Sequence, residues 1–139
     1  MQLAVIGGFL VLHGLITTMI GLGAVTNPNS PAMTLPSWFS WWPGPFGRSW
    51  LFDALDLGTG ASVLGGLAWL VAGVALVAAG LGWLGVPGVR DLWQPLAFVG
   101  AAVGLVAAAL YFHPLFLVAV VINLAVVVLL WGRLTTATS

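Results

Sequence analysis

The chain has 139 residues, 61% of them hydrophobic and only 4% charged, with three Arg, three Asp, no Lys, no Glu and a formal net charge of zero. Its mean hydropathy is +1.16, whereas soluble domains carry about 25% charged residues, so a membrane protein is expected. The charge balance excludes nucleic acid as a main partner, and the lack of Cys excludes disulfides, thiolate metal sites, iron–sulfur clusters and a catalytic cysteine.

A helix needs about 20 mostly apolar residues to cross about 30 Å of hydrocarbon. Four segments meet this, near residues 3–25, 60–84, 92–112 and 114–131. They fill most of the chain and predict an all-α integral membrane protein. Residues 1–139 form one membrane domain, a four-transmembrane-helix bundle with a long aromatic-rich outer loop between helices 1 and 2. The first segment has no positive n-region beyond the terminal amine, so it is expected to be kept as a span and not cleaved as a signal peptide.

An ionisable or polar side chain inside a span is costly and marks a candidate site. In the first span His13 lies about 15 Å deep, near the bilayer middle, counting 1.5 Å per residue from residue 3. Thr17 shares its face four residues on, and Thr18 is nearby.

The loop over residues 26–59 contains "WFSWWPGPFGRSWLFDALDLG", with four of the eight Trp. Trp38, Trp41, Trp42 and Trp50, with Phe39, Phe46 and Phe52, predict a lid at the headgroup level, because indole rings gather where an apolar body and a polar tip are both served. Ser49 is placed to cap a short helix after "PGPFG". Asp53 and Asp56 then share a face, and Arg48 can pair with Asp53 or with lipid phosphate. A sharper reading has Arg48, Asp53, Asp56 and His113 meeting above the bundle to line an entrance, where carboxylates beside a His can do acid–base work. Two Asp three residues apart are more often a solvated face.

In the second span Gly66, Gly73 and Gly80 recur every seven residues, beside Ala68, Ala75 and Gly82, a repeat that favours a left-handed helix crossing. The connection "GVPGVRD" is short, so the second, third and fourth spans are expected to run up, down and up as neighbours, with the first closing the bundle. Gly100, Gly104 and Ala108 give the third span a small-residue stripe that admits a close backbone. Both stripes fit packing within this bundle or an interface between copies.

His113 and Pro114 sit in the tight turn "FHP", where the His is expected to be solvated or to pin the loop, and the Pro suits a first helical turn. Asn123 in the fourth span comes about 13.5 Å deep from Pro114, close to the level of His13. His13, Thr17 and Asn123 therefore form a candidate polar layer. It reads either as a hydrogen bond that locks helix register or as a site for a ligand, proton or ion. His13 and His113 lie about half a bilayer apart in depth and are rejected as a haem pair. No metal site and no cofactor are expected; a bound lipid or other lipophilic molecule is the one small partner foreseen.

Cytoplasmic loops retain positive charge. Arg90 and Arg133 fall on the side of the amino terminus and Arg48 on the other, which puts both termini in the cytoplasm and the long loop outside. At "GFLVLHGLI" and "GGLAWLVAGVALVAAGLGWL" the chain resembles small four-helix bacterial membrane proteins of the DoxX-like group, which share a His-Gly in the first helix and a Gly-rich, Trp-bearing second helix. The resemblance implies the same fold and a bacterial inner membrane.

Three functions follow from these features. The first is a non-catalytic accessory or structural subunit of a larger membrane complex, or a homo-oligomer, with membrane lipids, other subunits or further copies as partners. The second is a small transporter, channel or lipophilic-ligand carrier working through His13 and Asn123. The third, least expected, is a membrane enzyme using Asp53, Asp56 and His113.

Overall fold

The computed structural model describes residues 2–28, 37–39, 41 and 49–136. The described residues hold helices and turns and no strand. The helices are α1 (Gln2–Thr26), the short α2 (Trp50–Ala54), α3 (Gly58–Trp83), α4 (Trp93–Leu110) and α5 (Leu117–Thr136), with single 3-10 turns at Ser37–Phe39, Arg90–Leu92 and Pro114–Phe116. Among the described residues four helical segments are long and apolar enough to cross a membrane: Ala4–Thr26, Gly58–Trp83, Arg90–Leu110 and Pro114–Gly132. They match the four expected spans to within a few residues, as a multi-pass membrane protein requires.

The turn between α3 and α4 needs glycine at two points. Gly85 and Gly88 have φ of +89° and +87°, a left-handed backbone that side chains resist, and they flank Pro87 to reverse the chain in a few residues.

In space the order is α1, α3, α4, α5, with α3 in the centre packed on both α1 and α4, and α4 packed on α5. Half of the α3 span is buried, against 17% for the span of α5. The expected closure by the first span is incomplete: α1 packs along α3, and the edge between α1 and α5 stays parted, without the backbone packing that joins the other neighbours.

Two glycine rows explain the close α1–α3 pair. A methyl group added at Gly14 would lie 2.6 Å from the Val77 amide nitrogen and 2.7 Å from the Gly73 carbonyl oxygen. One added at Gly21 would meet the Leu70 nitrogen at 2.6 Å, and one at Gly80 would meet the Gly7 carbonyl oxygen at 2.7 Å. Gly7, Gly14 and Gly21 thus face Gly80, Gly73 and Gly66 in antiparallel register. Seven-residue spacing on both helices keeps the seam aligned along its length. The stripe on α3 was legible in the sequence; its partner on α1 was obscured by Gly8 and Gly23, both of which face open space.

The α4 stripe serves two neighbours. Gly100 admits α3, since an added methyl would come 2.9 Å from Leu76 Cγ and 3.0 Å from the Ala72 carbonyl oxygen; Gly104 makes room for Asn123, whose Nδ2 would be 2.7 Å away. Both small-residue stripes are therefore used inside one chain.

The core gathers near the α4–α5 turn, where Trp69, Ala107, Ala108, Tyr111 and Phe116 form one buried cluster. A second cluster of Ala79, Ala97 and Leu130 lies toward the termini. The outer faces of α1 and α5 carry exposed Met19, Val118, Val121 and Leu129, the surface a lipid-facing helix presents.

Candidate functional site

The mid-span layer is assembled across the parted edge. His13 Nε2 and Asn123 Oδ1 are 3.0 Å apart, joining α1 to α5. Asn123 is 2% exposed and lies over the gap left by Gly104, while His13 is half-buried. A carboxamide oxygen only accepts, so with Oδ1 facing the ring Nε2 is the donor, and in the neutral imidazole Nδ1 then keeps its lone pair. Thr17 departs from the expected three-residue cluster. Its hydroxyl donates to the His13 carbonyl oxygen at 2.8 Å, a bond back along its own helix, and Thr18 does the same to Gly14 at 2.8 Å.

Beside this layer, between α1 and α5, lies a cleft of about 490 Å³ whose walls include Phe9, His13, Thr17, Trp69, Phe116 and Ala119. The Phe9 ring stacks on His13 with centroids 6.1 Å apart and planes within 6°, which fixes the imidazole plane in the wall. Trp69 is 1% exposed, held against Phe116 at 5.4 Å and Tyr111 at 6.3 Å between ring centroids. Its indole Nε1 is buried and has no hydrogen-bond partner among the described residues. The cleft comes from the packing order: α1 and α5 stand apart as its sides, and Trp69 of α3 lines it between them.

In the sequence Trp69 stands out only as part of a Gly-rich helix. The missed signal is its position. Interfacial Trp belongs near span ends, whereas Trp69 lies about 16 Å along α3 from Gly58, at the level of the polar layer.

At the long-loop end the contacts are structural. Ser49 caps α2 as expected, accepting from the Phe52 amide at 3.2 Å, and donates to the Leu110 carbonyl oxygen at 2.6 Å. Trp50 Nε1 donates to the Ala109 carbonyl oxygen at 2.7 Å. Ala109 and Leu110 lie in the last turn of α4, whose carbonyls have no partner within the helix. The loop thus ends by fastening onto α4. Tyr111 donates its hydroxyl to the Ser62 carbonyl oxygen in α3, and burial, then the Asp53 charge, raises its pKa above 10.

Asp53 and Asp56 are exposed and line a separate hollow of about 260 Å³ with Thr59 and Ser62. Asp56 falls beyond the end of α2 with φ of +50°, so the two share a hollow and not a helix face. His113 is not in that wall, and it is fully buried, not solvated. Its Nδ1 accepts from the Leu115 amide at 3.2 Å and so caps the turn that opens α5, which is the loop-pinning role. Burial lowers its pKa below 6.5. The entrance read from Arg48, Asp53, Asp56 and His113 is therefore not assembled around the imidazole, and Arg48 lies outside the described residues.

Of the aromatic anchors, Trp38 and Trp41 are exposed, Trp50 is half-exposed and bonded, and Trp42 lies outside the described residues. Among the described residues no group of three or more His, Asp or Glu is placed to hold a metal ion.

No family model matches the sequence, and neither the curated proteins nor the solved structures include a significant match. The likeness at "GFLVLHGLI" to DoxX-like proteins stays a resemblance, and the reading of function rests on the residues themselves.

Proposed function

We propose that this chain is a non-catalytic membrane protein that holds a lipophilic molecule in the cleft between α1 and α5. The observation that carries the reading is the cleft of about 490 Å³ with a polar layer at mid-span in its wall. Ligand sites in proteins are mostly apolar hollows with few placed polar groups, and this cleft has that make-up. The alternative of an accessory subunit or homo-oligomer drew on the glycine stripes, which pack α1, α3, α4 and Asn123 together here.

The setting proposed is a bacterial inner membrane with both termini cytoplasmic, following Arg90 and Arg133. The chain has no Cys, so single cysteines at Thr59 and Val86, labelled from either side, test the orientation; labelling of both from one side would refute a transmembrane α3.

The function is tested by extraction from the native membrane into nanodiscs and native mass spectrometry. The unmodified chain should retain a lipophilic molecule of defined mass, and Ala119→Phe, which puts a ring into the cleft, should lose it. Particles with nothing bound in either form would refute the reading.

A further inference from the structure

The cleft wall offers two polar groups whose partners the fold does not supply. His13 Nε2 is engaged by Asn123, and no hydrogen bond reaches Nδ1 among the described residues, so its lone pair is the ring's remaining group on the cleft side. Trp69 Nε1–H is buried in the same wall without an acceptor. The wall therefore offers the His13 acceptor at mid-span, with the Trp69 donor enclosed in the same wall.

A burial of this kind is costly to leave unanswered, and it selects among ligands. A ketone or ester has no hydrogen to give His13. A carboxylate or ammonium is charged at neutral pH and costly at that depth. A hydroxyl both donates and accepts, and it stays neutral. Apart from the Thr17 hydroxyl, which bonds to its own helix, the remaining walls are apolar, with Phe9, Leu12, Ile16 and Phe116 among them. On the reading that the cleft holds a lipophilic molecule, we propose that the occupant is a lipophilic alcohol or phenol whose hydroxyl donates to His13 Nδ1. Its apolar part fills the cleft and runs out between α1 and α5 into the bilayer.

Phe9 and Asn123 act as positioning residues. The Phe9 stack holds the ring plane, and Asn123 holds the tautomer that leaves Nδ1 unprotonated. Gly104 acts one step further away, by seating Asn123.

The test uses the full chain in nanodiscs with two radiolabelled probes, farnesol and farnesyl methyl ether, which share an apolar chain and differ in the donor hydrogen. Farnesol should bind about tenfold more tightly, the worth of one well-made hydrogen bond. His13→Phe should bring the two probes level, and Ala119→Phe should abolish both. Because the chain has only two His, nitrogen-15 histidine spectra provide a readout that needs no variant: farnesol should shift the His13 Nδ1 signal, the ether should not, and His113 should stay put. Equal binding of both probes, lost in Ala119→Phe, overturns recognition of the hydroxyl and leaves the cleft as a lipophilic site. Absence of saturable binding by either probe overturns both.

Discussion

Replacing Gly14 by Ala tests the α1–α3 seam with the smallest possible change. The added methyl would sit 2.6 Å from the Val77 nitrogen and 2.7 Å from the Gly73 carbonyl oxygen. Ordinary contacts lie at about 3.5–4.0 Å, and both obstacles are backbone, so the helices must part by about 1 Å. A gap of 0.5–1 Å forfeits about a quarter to a half of each atom-pair attraction of about 0.1–0.2 kcal/mol. For about 40 pairs, as many as a buried Leu makes, the loss is about 1–4 kcal/mol. Ala gains about 1 kcal/mol over Gly as a helix former, and Gly8→Ala isolates that gain, because Gly8 has nothing within 4 Å. Stability is read by steric trapping or denaturant titration in detergent. Gly14→Ala should fall about 1–4 kcal/mol below Gly8→Ala; equal stability of the two would refute the paired glycine rows.

Three further outcomes are expected. A double-mutant cycle with His13→Leu and Asn123→Leu should show a coupling of about 0.6 kcal/mol, at most about 1.7, and strictly additive effects would mean that the pair contributes nothing. Because burial lowers the His113 pKa, the unfolded chain binds the proton more readily. Stability should therefore be complete above about pH 6.5 and fall as pH drops through that value toward the lowered folded pKa, a fall that His113→Asn should flatten in detergent unfolding curves. Tyr111 is the only Tyr, so its phenolate absorbance can be followed alone. It should appear only above pH 10, with stability declining as pH rises past that value, and Tyr111→Phe should cost about 1 kcal/mol through loss of the bond to Ser62. Ionisation at the ordinary pH would contradict the buried placement.

The spans were legible because membrane solvent imposes a strong rule: every backbone group must be satisfied within an apolar helix of fixed length. The pairing of His13 with Asn123 could be anticipated from depth alone, since two polar groups at one level in hydrocarbon have few other partners. The cleft could not. It depends on α1 packing along α3 and standing off from α5, a choice made by Gly7, Gly14 and Gly21, whose facing is unreadable among the other glycines of that span. The loop residues misled in a different way. Asp53, Asp56 and His113 are close in topology, yet His113 is drawn under the surface by capping Leu115, while Asp56 leaves the helix through a left-handed turn. Local hydrogen bonding, which composition does not reveal, separated them.

Photocrosslinking from the cleft tests the central claim most directly. Benzoylphenylalanine placed at Leu12, in the cleft wall, and at Met19, 74% exposed on the same helix, would be irradiated in native membranes and the adducts weighed. A bound lipophilic molecule predicts one adduct of defined mass at Leu12 that Met19 does not give. The same spread of bulk phospholipids at both positions, or a protein adduct at Leu12, would contradict the account.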